Sequence, residues 1–226
     1  MDDVVIKTRH VESLIDDLRL TFDNLRTYDI KLNPEKYVFS VPAGKLLGFI
    51  VSSRGIEANP TKIQALSQLV TPTDLKQVQN LAGCVAALSR FISRLGEKVV
   101  PLYRLLRRTD HFEWTDAATA GLEEINALLA RNPILAASNV GEPMLLYIAA
   151  THQVVSAVLI VEREEDGHKF PLQKPVYYVS TVLTPCKSRY PHYQKIAYTV
   201  FMASRELRHY FQECSITVAL KYLSMT

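Results

Sequence analysis

The chain has 226 residues, of which 48% are hydrophobic, and it carries a formal net charge of +3. This length allows one or two hydrophobic cores of ordinary size, and we expect two modest domains. Residues 1–9 contain no apolar run long enough for a signal peptide or a membrane span, so we expect a soluble protein that is not secreted and works in the cytoplasm or nucleus. Cys84, Cys186 and Cys214 lack CxxC spacing and are predicted to be half-buried thiols.

Basic residues crowd between residues 90 and 108, where Glu97 is the only acid. They are Arg90, Arg94, Lys98, Arg104, Arg107 and Arg108. Such a ridge of positive charge attracts phosphates. The same pattern also fits a solvated helix face, and charge alone does not separate these two interpretations.

The opening of the chain predicts the order strand, helix, strand, strand. Apolar residues recur with a 3.6-residue period from Val11 and predict an amphipathic helix that ends before Pro34. Short strands are predicted at 37–41 and 45–52, on either side of a turn at 42–44.

A small helical unit is predicted next. Asn59-Pro60 and Thr71-Pro72-Thr73 place capping residues ahead of two apolar-periodic runs, the second of which continues as one stripe to Ile92. A third helix, with leucines and Ile125 facing inward, precedes Asn132-Pro133. The domain boundary is predicted near His111 to Trp114.

The last part of the chain predicts strands at 144–148, 154–161 and 175–180, with Asp166-Gly167 as the turn of a charged hairpin loop. A helix at about 193–210 and a strand at 215–219 follow. This order is typical of an α/β domain cut short, because such a sheet normally needs a covering helix on its other face.

Two adjacent carboxylates, Asp2 and Asp3, precede the apolar strand Val4-Val5-Ile6. Phosphoryl transfer by two metal ions needs several carboxylates that converge on Mg²⁺. One pair cannot hold two ions unaided, and taken alone the pair is solvated surface charge.

The order of the segments changes that interpretation, because it resembles the reverse transcriptases of Ty3/gypsy-class long-terminal-repeat retrotransposons, and most closely those of plants, from the YxDD box onward. The matching segments are Asp2-Asp3, LNPEKYVF at 32–39, LLGFIVSSRGI at 46–56, PTKI at 60–63, LAGC at 81–84, RFI at 90–92, FEWT at 112–115 and PIL at 133–135. The resemblance covers residues 1 to about 219.

The resemblance implies an α+β or α/β protein with three parts. Residues 1–58 would be the C-terminal remnant of a polymerase palm, with the Asp-Asp hairpin, a helix and a primer-grip-like hairpin. Residues 59–110 would be a helical thumb, and 111–220 a truncated RNase H-like domain with a mixed sheet and helices. The tail, 221–226, is expected to be unstructured.

By the same resemblance, Asp2 and Asp3 would be two metal-binding carboxylates of the polymerase. The tyrosine of the box and the third aspartate are missing, so an incomplete site is expected, with Mg²⁺ the cofactor of the family but none bound productively here. Leu47, Gly48 and Phe49 match the hairpin that grips the primer end. Core packing is the alternative for Leu47 and Phe49. Nucleic-acid contacts are also expected on the thumb, from Arg90, Arg94 and Lys98.

The family's RNase H site is predicted to be lost. Its three carboxylate positions align with Ala149, Gln194 and Leu220, none of which is an acid. Shifting the alignment by one or two residues would not supply a carboxylate, because no Asp or Glu occurs in 143–161, in 184–205 or after Glu213. We therefore expect a catalytically inactive RNase H-like domain that serves as a structural connection.

Histidines and tyrosines of the last part offer little independent chemistry. His192, His209 and Tyr193 lack an obvious acidic partner and are interpreted as packing or surface residues. Tyr177 and Tyr178 could stack on bases, but neighbouring aromatic residues in a strand are mostly core.

The leading functional hypothesis is a fragment of a retrotransposon RNA-directed DNA polymerase that is not an enzyme as this chain and keeps only nucleic-acid binding. Its partner would be the backbone of an RNA/DNA hybrid or DNA duplex, with no membrane involved and protein partners unknown. The alternatives are a non-catalytic scaffold for protein partners and a decayed reading frame without a selected role.

Overall fold

Two four-stranded sheets, joined by helices, organise the part of the chain described by this computed structural model, namely residues 6, 8, 11–36, 38, 39, 41, 43–106 and 112–220. Asp2, Asp3, Arg107, Arg108 and the tail 221–226 lie outside the described residues. The mixture of helices with a mixed sheet agrees with the predicted α+β class. The division into palm and thumb remains a prediction.

Helix α1, Leu14–Thr27, confirms the predicted amphipathic helix. None of its residues is buried, however, and Ile15 and Leu20 are largely exposed. The apolar periodicity therefore indicated the helix correctly without showing what its apolar face packs against.

The first sheet is built from β1 Ala43–Leu46, β2 Phe49–Ser52, β3 Gly55–Ala58 and β4 Ile134–Leu135, all antiparallel. The predicted single strand at 45–52 is wrong, because the chain reverses inside it. Leu47 and Gly48 both have positive φ, 49° and 81°, as in the mirror-image turns that suit hairpins. A hairpin is present here, as the resemblance implied, and its likeness to a primer grip stays a prediction.

The turn predicted at 42–44 is wrong where the structure describes it, because Ala43 and Gly44 belong to β1. Of the strand predicted at 37–41, the described residues Val38, Phe39 and Val41 lie outside any strand, and the other two lie outside the described residues. The usual sequence signal for a two-residue hairpin turn is Asn-Gly or Asp-Gly. Leucine rarely adopts positive φ, so Leu47-Gly48 gave no such signal.

Asn59 caps its helix as predicted, but the second helix begins later than Thr71-Pro72-Thr73 and is capped by a different residue. Helix α2, Pro60–Ser67, starts after Asn59, whose Oδ1 accepts a hydrogen bond of 3.0 Å from the Thr61 amide. Helix α3, Leu75–Ala87, is capped by Asp74, which accepts one of 2.8 Å from the Gln77 amide.

The stripe predicted to run from Leu75 to Ile92 is interrupted. Helix α3 ends at Ala87, and a 3-10 turn over Ser89–Phe91 follows. A separate helix, α4 Leu95–Leu106, contains Pro101. Leu88 and Ile92 are nevertheless buried, because the turn keeps them directed into the same core.

Helix α5, Asp116–Leu129, is the predicted third helix and is capped by Thr115. Gly121 lets it approach α4 closely, since an added Cβ would overlap the backbone oxygen of Lys98. The first core lies among these helices and the first sheet. Its fully buried side chains include Leu66, Leu81, Leu102, Ile125, Leu129 and Leu135.

The second sheet contains the four predicted strands, the first three longer than predicted and the last one residue shorter: β5 Met144–Ala150, β6 Val154–Arg163, β7 Leu172–Val182 and β8 Ile216–Ala219. Their order is β7-β6-β5-β8, with β5 and β8 parallel and the other pairs antiparallel. Gly167, with φ of 89°, lies in the predicted hairpin turn.

The helix predicted at 193–210 is divided at Leu207 into α7, His192–Glu206, and α8, Arg208–Glu213. A short helix, α6 Pro185–Ser188, precedes them. Helix α7 covers the second core, whose buried side chains include Met144, Leu146, Leu159, Val161, Val179 and Ala203. Of the three thiols, all free, Cys84 and Cys186 are exposed, contrary to expectation, and Cys214 is half-buried.

Helix α4 packs against the second sheet on the face opposite α7. The Gly96 amide donates a hydrogen bond of 2.8 Å to Ser180 Oγ, which is also 2.8 Å from Ser156 Oγ. The next residues along these strands, Ala157 and Val179, join the core beneath α7 instead. Because successive side chains of a strand point to opposite faces, the two helices lie on opposite faces of the sheet.

No helix in the described ranges combines the length and the apolar character that crossing a bilayer requires.

Candidate functional site

The second sheet brings the three predicted RNase H positions to one edge. Ala149 lies near the end of β5, and Leu220 follows β8 directly. Tyr147 of β5 pairs with Ala219 of β8 in parallel register, so both strands end at the same edge. Both Ala149 and Leu220 are exposed.

Helix α7 begins at this edge, where hydrogen bonds from Lys195 hold its first turn against the loop after β5. The Lys195 ammonium donates hydrogen bonds of 3.0 Å to the His152 carbonyl and 3.3 Å to the Thr151 carbonyl. Only 6% of Lys195 is exposed. Gln194, the third predicted position, is its exposed neighbour on the helix.

This arrangement does not fit a Mg²⁺ site. Mg²⁺ binds oxygen ligands in octahedral geometry and usually takes one or two carboxylates. The three positions offer a methyl group, a carboxamide and an isobutyl group, and a buried ammonium beside them repels a cation. Within the described residues no group of three or more His, Cys, Asp or Glu side chains is placed to hold a metal ion.

Sequence reasoning missed Lys195. A signal was present, because Lys195, Thr199 and Ala203 are four residues apart and all three are buried on one face of α7. A lysine in such a stripe indicates a structural partner for its ammonium, since an unpaired buried charge is strongly unfavourable.

The hairpin tip presents Leu47 and buries part of Phe49. Leu47 is 74% exposed, whereas the ring of Phe49 lies 5.7 Å from that of Phe91 and packs against the first core. Phe49 thus packs against the core and Leu47 does not, while the contact of both with a primer stays a prediction. An added Cβ at Gly48 would meet the Lys62 ammonium, which places a cation beside the turn.

Arg90 joins the hairpin to the second sheet. Its guanidinium carbon lies 4.9 Å from the centre of the Phe49 ring and 4.4 Å from that of Tyr177 on β7. The Arg90 Nε is buried and has no hydrogen-bond partner in the described structure. This cation–π stack ties together three segments that are far apart in the sequence.

The predicted ridge of positive charge is divided among internal partners. Arg94 pairs with Glu97 at 2.6 Å and remains exposed. Lys98 is mostly covered and pairs with Glu124 of α5 at 3.0 Å. Arg104 is exposed, and it donates a hydrogen bond of 3.1 Å to Gln153 Oε1.

The tyrosines of β7 are structural, as expected for strand aromatics. Tyr177 stacks on Arg90, and burial raises the pKa of Tyr178 above its usual value. Burial likewise raises the pKa of Tyr210, which packs against the second core. His192 and His209 are exposed, which confirms their interpretation as surface residues.

Residues 114–218 match the family described as the RNase H-like domain found in reverse transcriptase. The chain is 25% identical over 215 residues to the retrovirus-related Pol polyprotein from transposon 297 of Drosophila melanogaster, covering 93% of this chain and 19% of that protein. It is 24% identical over 212 residues to the transposon Tf2-3 polyprotein of Schizosaccharomyces pombe, covering 94% of this chain and 16% of that protein. The chain therefore spans less than a fifth of these relatives.

Solved structures agree at the level of the fold. The foamy viral protease–reverse transcriptase dRH in complex with double-stranded DNA superposes with a TM-score of 0.76 at 19% identity, over 96% of this chain and 38% of that one. The foamy viral protease–reverse transcriptase in complex with an RNA/DNA hybrid gives the same TM-score over 29% of its length. Residues 114–218 are thus similar to the RNase H-like domain of retrotransposon and retroviral polyproteins.

Proposed function

We propose that this chain binds the backbone of a nucleic-acid duplex, either an RNA/DNA hybrid or DNA, and that its RNase H-like domain is a structural connection without nuclease activity. The absence of nuclease activity rests on one observation. The three positions where an RNase H site needs carboxylates hold Ala149, Gln194 and Leu220, beside the buried ammonium of Lys195. Such an arrangement binds no Mg²⁺ productively, so hydrolysis of a phosphodiester by two metal ions has no place to occur.

The sequence segments support a narrower family assignment. The order LNPEKYVF, LLGFIVSSRGI, PTKI and LAGC supports the Ty3/gypsy class and an origin in a plant element. Residues 1–58 and 59–110 are then the palm remnant and thumb. Asp2 and Asp3 would be the palm's metal-binding pair.

Binding to a duplex is supported by the fold and by exposed charge. The similar foamy viral structures are complexes with double-stranded DNA and with an RNA/DNA hybrid. In this chain, Leu47 projects at the tip of the hairpin, and the side chain of Arg94 is 60% exposed. Arg94 and Arg104 are the cations of the thumb best placed to exchange weak internal partners for phosphates, because exposed ion pairs contribute little.

The test replaces both exposed arginines with glutamine, as Arg94→Gln together with Arg104→Gln. We expect the affinity for a 20-base-pair RNA/DNA hybrid to fall about tenfold, and the slope of log K against log salt to become shallower by about 1.8, since each lost phosphate contact releases ~0.9 fewer counterions. Fluorescence anisotropy at several salt concentrations measures both quantities.

A matched control exists on α1, where Arg19 and Arg26 are exposed and each pairs with an aspartate three residues away, as Arg94 pairs with Glu97. Arg19→Gln with Arg26→Gln removes the same charge from a helix not assigned to the duplex. Equal losses in the two double variants would indicate a non-specific effect of net charge. Binding that ignores salt and both pairs of substitutions would favour a protein-interaction scaffold.

A further inference from the structure

Helix α7 carries aromatic rings on the face directed away from its sheet. Tyr193 is 69% exposed and Phe201 is 55% exposed. They are eight residues apart, which places them about 80° apart around the helix on one broad outward face, and Arg205 follows Phe201 about one turn later. A contiguous patch of large exposed apolar side chains usually marks an interaction surface, whereas single exposed ones are normal.

Phe201 also belongs to a pair of neighbouring rings, with Tyr198, that has a cation at each end. Lys187 of α6 lies 4.2 Å from the centre of the Tyr198 ring, and the Tyr198 and Phe201 rings are 6.5 Å apart. Arg205 lies 5.8 Å from the centre of the Phe201 ring. The sequence of groups along the surface is cation, ring, ring, cation.

The charge of this surface has one sign over a long stretch. Residues 184–205 contain no acid, and apart from the buried Lys195 their cations are Lys187, Arg189 and Arg205. The carboxylate nearest in sequence is Glu206, which lines a shallow pocket of about 340 Å³ with Tyr198, Phe201, Met202 and Arg205. Burial raises the pKa of Glu206 above its usual value.

We propose that the outer face of α7 is a binding platform for single-stranded nucleic acid. Unpaired bases stack on Tyr193 and Phe201, and Lys187 and Arg205 contact the phosphates on either side of them. Stacking on aromatic side chains beside a positively charged track is the common way to bind single strands without sequence preference. The complementary charge favours a nucleic acid over an acid-poor protein surface as the occupant.

This platform is separate from the proposed duplex site. Helix α4 with Arg104, and α7 with Phe201, pack on opposite faces of the second sheet. A duplex on the thumb and a single strand on α7 can therefore be bound at the same time, as would suit a template whose unpaired part leaves the duplex.

Fluorescence anisotropy of the full chain with a labelled 20-nucleotide oligo-dT, at 0.1 M salt, tests the platform. Tyr193→Ala and Phe201→Ala are each expected to weaken binding about tenfold, whereas Tyr193→Phe keeps the ring and the affinity. Neither alanine variant should lower the melting temperature appreciably, because both side chains are exposed.

Phe170→Ala is the matched control. Phe170 is 73% exposed and has the Lys169 ammonium 5.8 Å from its ring, but it follows a loop that contains Glu164, Glu165 and Asp166. Its loss should leave oligo-dT binding unchanged. Binding that survives both α7 alanine variants would overturn the proposal, as would a loss of self-association in those variants with oligo-dT binding intact, which would make a second protein copy the occupant.

A hybrid-binding measurement on the same variants separates the two sites. Tyr193→Ala and Phe201→Ala should leave hybrid affinity unchanged. If they weaken hybrid and oligo-dT binding equally, α7 is part of the duplex site and the separate platform is wrong.

Discussion

Replacing Lys195 with methionine is expected to lower the melting temperature by about 4–8 °C. Methionine fills the space of the lysine stem but cannot donate to the carbonyls of Thr151 and His152. Hydrogen bonds from a charged donor contribute about 2 kcal/mol, and each kcal/mol changes the melting temperature by about 2–4 °C in a chain of this size. The loop after β5 and the first turn of α7 should loosen together.

Lys169→Met is the control for this substitution, because Lys169 is an exposed lysine in the β6–β7 loop. It should change the melting temperature by less than about 1 °C, since surface substitutions usually have small effects. Thermal unfolding followed by circular dichroism measures both variants. If Lys195→Met melts like the control, the ammonium does not hold this edge together, and the case against a metal site there loses its main electrostatic support.

Substituting Gly55 by alanine is expected to cost about 3 kcal/mol, because two unfavourable effects combine. Gly55 has φ of 133°, a backbone conformation that alanine rarely adopts. An added Cβ would also overlap the carbonyl oxygen of Leu135, on the strand that pairs with β3. The predicted fall in melting temperature is about 6–12 °C.

Gly141→Ala separates the two effects. Gly141 also has positive φ, 70°, but an added Cβ there would meet nothing within 4 Å. It should therefore cost only the backbone strain, about 1 kcal/mol. Equal losses in the two variants would mean that β3 and β4 are not packed as closely as the structure shows.

Gly55 also tests how the parts of the chain are joined. Strand β4 lies within 111–220, but it completes the sheet of β1, β2 and β3 from the opening part. We expect Gly55→Ala to lower one shared thermal transition. An unchanged second transition for the RNase H-like region would show instead that the two sheets unfold independently.

Much of the fold was predictable because its signals are local. Asn59 caps α2 through its own side chain, and the strands of the second sheet show the apolar runs expected of them. The Leu47-Gly48 turn had no local sequence signal and was indicated only by the resemblance, and the break at Leu207 was not predictable because it depends on how distant segments pack. Leu207, for example, ends α7 where its side chain is buried in the second core.

The candidate site was predictable in part. The resemblance indicated Ala149, Gln194 and Leu220, and the parallel pairing of β5 with β8 is consistent with placing them at one edge. The internal partners of the basic residues at 90–108 were not predictable. Lys98 pairs with Glu124, and Arg104 donates a hydrogen bond to Gln153, which is 49 residues away. Such partners belong to tertiary structure, and net charge along a segment does not reveal them.

Binding without hydrolysis is tested most directly by incubating the full chain with a 20-base-pair RNA/DNA hybrid, labelled on the RNA strand, in the presence of Mg²⁺. Native and denaturing electrophoresis of the same samples report binding and cleavage together. We expect a retarded complex whose RNA strand keeps its full length. RNA that is shortened in proportion to added protein, and protected by EDTA, would contradict the loss of the nuclease site at Ala149, Gln194 and Leu220.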